Sequence, residues 1–391
     1  MTTAQFLTSA EGTGWLEQAM SLPGTPASHL ADLGYLRRHL PPHRAAAVLE
    51  QVQLRARAAS RLERAGQMLL TDAGLQQSSH PAVAAHRAER FRGRPCVADL
   101  GCGLGVDTIA LAGAANRVLA LDRDAVRLLF ARHNAGVHGV GDRVAFAQAD
   151  VLAPPFCPQD LTLFGDPGRR TAAGWRTFRP EDYEPPLSLL WERLRGARGL
   201  AVKAAPGIDY RALPWVDEVE VVSLDGRVKE ATLWCGDLAT PGVRRRATLL
   251  PSGATMTDAQ PEQDCPVEAA GHYLYEPDGA AIRAGLVRQV GTALELWQLE
   301  AHIAYLSGDE PIASPFVQGF EIEERLSFGL KPIRRRLREL GVGVLEIKKR
   351  GVALDPDVFR RRLKLRGSEN RTLILTRVGD KPVAFLCRRL G

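Results

Sequence analysis

The chain has 391 residues, 45% of them hydrophobic and 25% charged, with a formal net charge of +6. That balance excludes wholesale disorder, and the length exceeds the usual size of one domain, so two or three domains with separate cores are expected. No apolar run approaches the ~20 residues needed to cross a bilayer, and MTTAQFLTSAEGTGW at the start carries no basic residue ahead of an apolar stretch, so a cytoplasmic protein without membrane partners is expected.

Residues 1–92 read as a helical region. Leu30, Leu33, Leu36 and Leu40, then Val48, Leu49, Val52 and Leu54, recur at helical spacing, and Pro41-Pro42 should divide two helices. Arg55, Arg57, Arg61 and Arg64 are expected on a solvated helix face. Residues 93–240 change to short β-branched and apolar runs separated by helical stretches, the pattern of a parallel sheet with crossover helices. Candidate strands are Val97–Leu100, Arg117–Leu121, Val144–Gln148, Leu161–Phe164, Gly199–Lys203, Glu218–Ser223 and Glu230–Trp234. The last two should pair as a hairpin across Leu224-Asp225-Gly226-Arg227. The predicted fold class is α/β, a Rossmann-like seven-stranded sheet preceded by helices.

Residues 241–270, with Arg244, Arg245 and Arg246 in a row, read as a linker or irregular loop. Residues 271–391 should form a small α+β domain. It would contain a helical region at Ala280–Leu306, basic helices at Lys331–Leu340 and Pro356–Leu365, and strands at Gly343–Lys348, Thr372–Arg377 and Pro382–Arg388. Residues 320–391 hold 19 Lys and Arg against 9 Asp and Glu, so the basic charge is segregated towards one end, as a phosphate backbone would attract. The six cysteines are scattered, with no CxxC pair and no histidine cluster at ligand spacing, so no metal site and no disulfide framework is expected.

The sharpest chemical signal is Val97-Ala98-Asp99-Leu100-Gly101-Cys102-Gly103-Leu104-Gly105, an apolar strand running into a glycine turn that opens a helix. Glycines let a backbone approach a ligand at positive φ. The dinucleotide fingerprint G-x-G-x-x-G would need its third glycine one residue later, and an acidic residue before the first glycine suits a cationic ligand, not a phosphate. S-adenosylmethionine, with its ammonium and sulfonium, fits. Asp107 and Thr108 in the first helical turn would hold its methionine end, and Asp122, followed by Arg123, would accept the ribose hydroxyls. Asp150, followed by Val151, would meet the adenine amino group, or serve as an ordinary turn residue.

The fourth strand runs into Asp166-Pro167-Gly168-Arg169-Arg170, which should border the transferred methyl. Asp166 is the candidate catalytic group, accepting a proton or hydrogen bond from the nucleophile, with Pro167 beside it and Arg169 and Arg170 binding substrate. Lys203 and Glu230 read more simply as structural ion-pair partners.

The run from Val97 to Asp150, with GVDTIALA at 105–112 and ARHNAGVHGVGDRVAFAQAD at 131–150, resembles class I methyltransferases, especially the branch around trimethylguanosine synthase. LLTDAGLQQSSHPAVAAHRA at 69–88 is similar to that branch's segment covering the cofactor. FRPEDYEPPL, VKEATLW, YLSGDEPI and LEIKKRG look like the bacterial members that carry a C-terminal THUMP-like domain. The resemblance implies S-adenosylmethionine as cofactor and RNA, with tRNA as a candidate, as substrate and partner. Enzymes that methylate exocyclic base amines place a second proline and an aromatic residue where Gly168 and Arg169 stand here, which argues against that acceptor. Methylation of a small molecule or protein, or RNA binding without catalysis, are the alternatives.

Overall fold

The structure, a computed structural model, describes residues 2–169, 177–260 and 265–391. The chain forms two compact units, one running to Val219 and taking in Lys229–Pro241, the other made of Glu220–Val228 and Gly242–Gly391.

In the first unit six helices come first: α1 (Thr3–Leu7), α2 (Ala10–Ala19), α3 (His29–Arg37), α4 (Pro42–Ala58), α5 (Asp72–Gln77) and α6 (Pro81–Ala88). Pro42 sits in the first turn of α4, where its missing N–H costs nothing, so the two prolines divide α3 from α4 as expected. Leu36, Leu40, Val48, Leu49 and Val52 are buried in one cluster. Leu30 is instead 83% exposed. Six residues before Leu36, it lies about 120° round the helix from the buried stripe.

Three of the four arginines tie loops down. Arg55 shares the apolar stripe of Val48 and Val52; it is buried, and its Nε donates to the Met68 carbonyl at 2.9 Å. Arg61 Nη1 donates to the Leu75 carbonyl at 3.0 Å, and Arg64 Nη1 to Val137 O at 2.5 Å. Arg57 is a solvated ion-pair residue, 2.6 Å from Asp72, and Arg64 is exposed as well.

The alternating region follows as β1 (Val97–Leu100), α7 (Val106–Ala114), β2 (Val118–Asp122), α8 (Ala125–Val137), β3 (Val144–Gln148), β4 (Thr162–Gly165), α9 (Leu187–Leu194), β5 (Gly199–Ala204), β6 (Glu218–Leu224) and β7 (Arg227–Gly236). These are seven of the nine strands of one sheet, in the order β3-β2-β1-β4-β5-β7-β6, so the sheet is wider than the seven strands expected. The first five are parallel, while β7 runs antiparallel to β5. Asp225 and Gly226, both at positive φ, close the β6–β7 turn with the conformation a two-residue hairpin requires.

Asn134, fully buried on α8, fixes the helices against the sheet. Its side chain accepts from Leu69 N at 2.8 Å and donates to Leu69 O at 3.0 Å and Leu104 O at 2.9 Å, joining the segment before α5 to the glycine turn after β1. Replacing it with alanine strands backbone groups that water cannot reach. Asn134→Ala is expected to lower unfolding stability by about 3 kcal/mol in urea titration, and a loss within experimental error would refute this bracing role.

The second unit holds β8 (Arg245–Leu250), β9 (Ala254–Thr257), β10 (Tyr273–Pro277), α10 (Gly279–Arg283), α11 (Val287–Ala293), β11 (Trp297–Glu300), β12 (Ile303–Gly308), β13 (Val317–Leu326), α12 (Leu330–Glu339), β14 (Val342–Lys349), α13 (Pro356–Leu363), β15 (Glu369–Val378) and β16 (Lys381–Arg389). Seven of the strands form one sheet in the order β11-β12-β10-β13-β16-β15-β14. The segment read as a linker contains the antiparallel hairpin β8–β9, whose Ala247 and Leu249 are buried beyond the arginine triplet that dominates its composition. The region read as helical from Ala280 to Leu306 is two short helices and two strands, divided by Gly285 and Glu295 at positive φ. Helices α12 and α13 bury Ile333, Leu337, Phe359 and Leu363 against the sheet and turn their basic faces outward.

Candidate active site

The turn after β1 owes its shape to glycine. Gly101 has φ 90° and Gly105 φ 84°, and a Cβ on Gly105 would stand 3.2 Å from that of Ala131 on α8. The Gly101 and Cys102 N–H groups donate to Leu121 O at 2.9 and 2.8 Å, which pulls the turn against β2. The Gly103 N–H donates to Asp122 Oδ2 at 3.0 Å, while Asp122 Oδ1 accepts from Asp124 N at 2.9 Å. Asp122 therefore braces the turn and still offers a lone pair from each oxygen.

A cavity of about 490 Å³ opens along the carboxyl ends of β1, β2 and β4. Gly101, Cys102, Gly103, Asp107, Asp122 and Arg123 line one side, Val151 extends it, and Asp166, Pro167 and Arg169 line the β4 side. Gly74, Gln77 and Ser78 cover it from α5 and the turn beyond, where the resemblance placed a covering segment. A Cβ on Gly74 would fall 2.6 Å from Leu104 Cγ, so only glycine lets α5 sit this close to the turn.

Beneath the cavity lies a buried cluster of charge. Arg87, on α6, pairs with Asp107 at the head of α7 and with Glu230 on β7, and its guanidinium lies 4.7 Å over the ring of Phe164. Burial works against the charges of Arg87 and Asp107, but the attraction is stronger: Glu230 and then Asp107 raise Arg87, while Arg87, then Lys203, and the 2.9 Å bond from Ser79 hold Asp107 below the usual carboxylate range. Lys203 Nζ lies 2.6 Å from Asp166 Oδ2. Asp99 behaves differently. It is buried, Thr108 donates to its Oδ2, and Oδ1 has no partner. Burial, then the charge of Asp107, pushes its carboxyl up to about 8.

The expected residues thus fall into two layers. Asp107 and Thr108 have their side chains committed to Arg87, Ser79 and Asp99, leaving the first-turn backbone of α7 to face the cavity. Asp150 is exposed and accepts from Leu152 N at 2.9 Å, which makes it a turn residue beside wall residues Ala149, Val151 and Leu152. Arg123 reaches across to Glu184 at 2.8 Å. Arg169 points its Nη1 towards Ala204 O at 3.5 Å, and Arg170 lies outside the described residues. Arg87, Ser79 and Glu184 were not anticipated as site residues. An arginine amid the small apolar residues of PAVAAHRA was the available signal for the first.

Comparison with known proteins gives the same reading. A methyltransferase domain model matches residues 97–164, a THUMP domain-like model matches 317–389, and a domain of unknown function matches 1–58. An uncharacterized S-adenosylmethionine-dependent methyltransferase of Mycobacterium tuberculosis H37Rv is 43% identical over 358 residues, 88% of this chain and 97% of that protein. The chain belongs to the S-adenosylmethionine-dependent methyltransferases. A crystal structure from Porphyromonas gingivalis W83, assigned as a methyltransferase, superposes with a TM-score of 0.80 at 25% identity over 97% of this chain and 98% of that one. The release factor glutamine methyltransferase of Chlorobaculum tepidum is 32% identical over 181 residues, 44% of this chain and 53% of that protein.

The site of this methyltransferase suits its cofactor. Around Arg87 and Lys203 stand Asp107, Glu230 and Asp166, so carboxylates outnumber cations, and the unpartnered Asp99 oxygen adds an acceptor behind the turn. A ligand bearing an ammonium and a sulfonium is favoured by such a wall. Among the described residues, no group of three or more His, Cys, Asp or Glu could hold a metal ion, and no helix is long and apolar enough to cross a membrane.

Asp99 makes stability depend on pH. An unfolded chain loses this proton near its ordinary value of 3.8, whereas the folded one keeps it to about 8. Between these values the folded state binds more protons, so this contribution to stability is full below about pH 4 and is lost as pH rises towards about 8. Asp99→Asn removes the titration. In urea titrations of cofactor-free protein the stability difference should shift towards the variant between pH 5 and pH 8, by on the order of 4 kcal/mol; a difference that does not change with pH would contradict the assignment.

Proposed function

We propose that this methyltransferase acts on RNA, with the first unit performing transfer and the THUMP-like domain holding the RNA backbone. The carrying observation is a set of exposed cations, Lys331, Arg338, Arg361, Arg362, Lys364 and Arg366, on or just beyond α12 and α13, with no ion-pair partner among the described residues. Other basic residues of the same domain are spent internally: Arg336 on Glu324 and Glu339, Arg371 on Glu323 and Glu369, Lys348 and Arg350 on Glu276. The unspent ones face solvent on α12 and α13 or just past the end of α13.

In this reading the turn residues Gly101, Cys102, Gly103 and Gly105 bring backbone up to the cofactor, and the first turn of α7 meets its carboxylate. Asp122 accepts from the ribose, Val151 and Arg123 border the adenine end, and Asp99, Asp107 and Thr108 hold the turn and helix from beneath. The cofactor supplies a methyl group already activated by its sulfonium. Asp166 therefore has to orient the acceptor and take its hydrogen bond, with alignment as the main source of rate. Pro167 and Arg169 shape the acceptor's entry. The Gly168 N–H donates to Glu184 O at 2.8 Å, a bond that a second proline would abolish, so this loop is built differently from the Asp-Pro-Pro pattern of base-amine methylation.

Mass spectrometry of nucleosides in RNA from cells with and without the protein should show one methylated nucleoside that depends on it. Replacing Arg338, Arg361, Arg362 and Arg366 with alanine should make the log–log salt dependence of RNA affinity shallower by about 2–3. An unchanged slope would remove the electrostatic basis of the proposal. The release factor relative favours a second reading, a protein acceptor. Label from the cofactor entering only the protein fraction would establish that one in its place.

A further inference from the structure

Lys203 is a lysine where the fold offers no solvent. Its side chain is 2% exposed, on β5, a strand buried along its whole length, while that of Asp166 is 21% exposed and lines the cavity. An ammonium so placed is retained only with a close counter-ion, and Asp166 Oδ2 at 2.6 Å is that partner. Asp166 Oδ1 has no hydrogen-bond donor among the described residues. Strand register puts Lys203 opposite Thr232 on β7, and Glu230 lies two residues along that strand, so the lysine approaches the site from the Glu230–Arg87 side of the sheet.

We infer that Lys203 is the positioning residue for Asp166: its buried ammonium holds one carboxylate oxygen and leaves the other to meet the acceptor. The inference rests on the reading of Asp166 as the residue that orients the acceptor. It adds a division of labour that composition did not reveal. Asp166 touches substrate, while Lys203 sets its rotamer in a corner where Arg87, Asp99 and Tyr183 also feel the carboxylate. Lys203 never contacts the acceptor, so its removal should spoil alignment more than binding.

The test uses full-length protein carrying Asp166→Asn, Lys203→Met, Lys203→Arg and the double substitution D166N/K203M. Methyl transfer is followed into whichever of total RNA, protein or small molecules, taken from cells lacking the protein, the unaltered enzyme labels. Affinity for S-adenosylhomocysteine is measured by calorimetry, and a crystal structure of K203M is determined. K203M should lower kcat about 10- to 100-fold with KM and product affinity within about twofold, as expected when transition-state alignment alone is lost. K203R should recover most of the rate, the double variant should be no slower than D166N, and Asp166 should leave its place in the K203M crystals. If D166N is impaired while K203M is not, the inference falls and the role of Asp166 stands. An unimpaired D166N overturns the role of Asp166 itself. Should K203M not fold, the double variant, which removes both charges, decides the matter: a kcat tenfold below that of D166N would give Lys203 a role other than positioning it.

Discussion

The first unit depends on the guanidinium of Arg87. Its side chain, 3% exposed, lies between two carboxylates, one on α7 and one on β7, elements more than a hundred residues apart in sequence. Ion pairs at this depth gain little net stability because desolvation offsets attraction, but losing one partner leaves a charge with no water and costs about 3–5 kcal/mol. Such a pair thus acts as a constraint. Helix α6 can sit in one place only, and with it the chain that leads from α5 over the cavity. Ser79, just before α6, completes the constraint by donating to the same Asp107 that Arg87 holds.

A second consequence concerns how the glycine turn keeps a shape that its composition alone would leave free. Glycines at positive φ are permissive, so something outside the turn must select the conformation. Here the Leu121 carbonyl takes two consecutive N–H groups, Asp122 takes a third, and Asn134 takes the Leu104 carbonyl. Backbone approach to a ligand is thereby fixed before any ligand arrives, which lowers the ordering entropy of binding.

The central sheet was legible because both signals behind it are local. Buried parallel strands read as short apolar runs, and Asp225-Gly226 announces its own turn, so β1, β3 and the β6–β7 hairpin fall where the sequence puts them. Asp99, Asp107 and Asp122 could be picked out by position at strand and helix ends. What they do was less legible, since Asp107 turns inward to an arginine whose partner on β7 is 143 residues away in the chain. No spacing rule reaches that far. The β8–β9 hairpin was hidden for another reason: three consecutive arginines and a Pro-Ser-Gly turn mask a short period-two pattern, and the strands are held by neighbours rather than by propensity. The helical reading of Ala280–Leu306 failed where short apolar runs fit both periods, and only the positive φ of Gly285 and Glu295 separates them.

Segregated charge in the second unit has to be divided before it can mean anything. Arg336, Arg338, Arg360, Arg361 and Arg362 occupy the last turns of α12 and α13, where a cation complements the helix dipole, so part of the basic bias is explained by helix stability. Lys331 is different. It sits in the first turn of α12, the end at which a positive charge is disfavoured, and no acidic residue accompanies it there. Lys364 caps the end of α13, where its charge also complements the dipole, and Arg366 lies two residues beyond it. Stability of these helices therefore accounts for some of the cations and is opposed by Lys331, so helix stability alone does not explain the basic bias of this face.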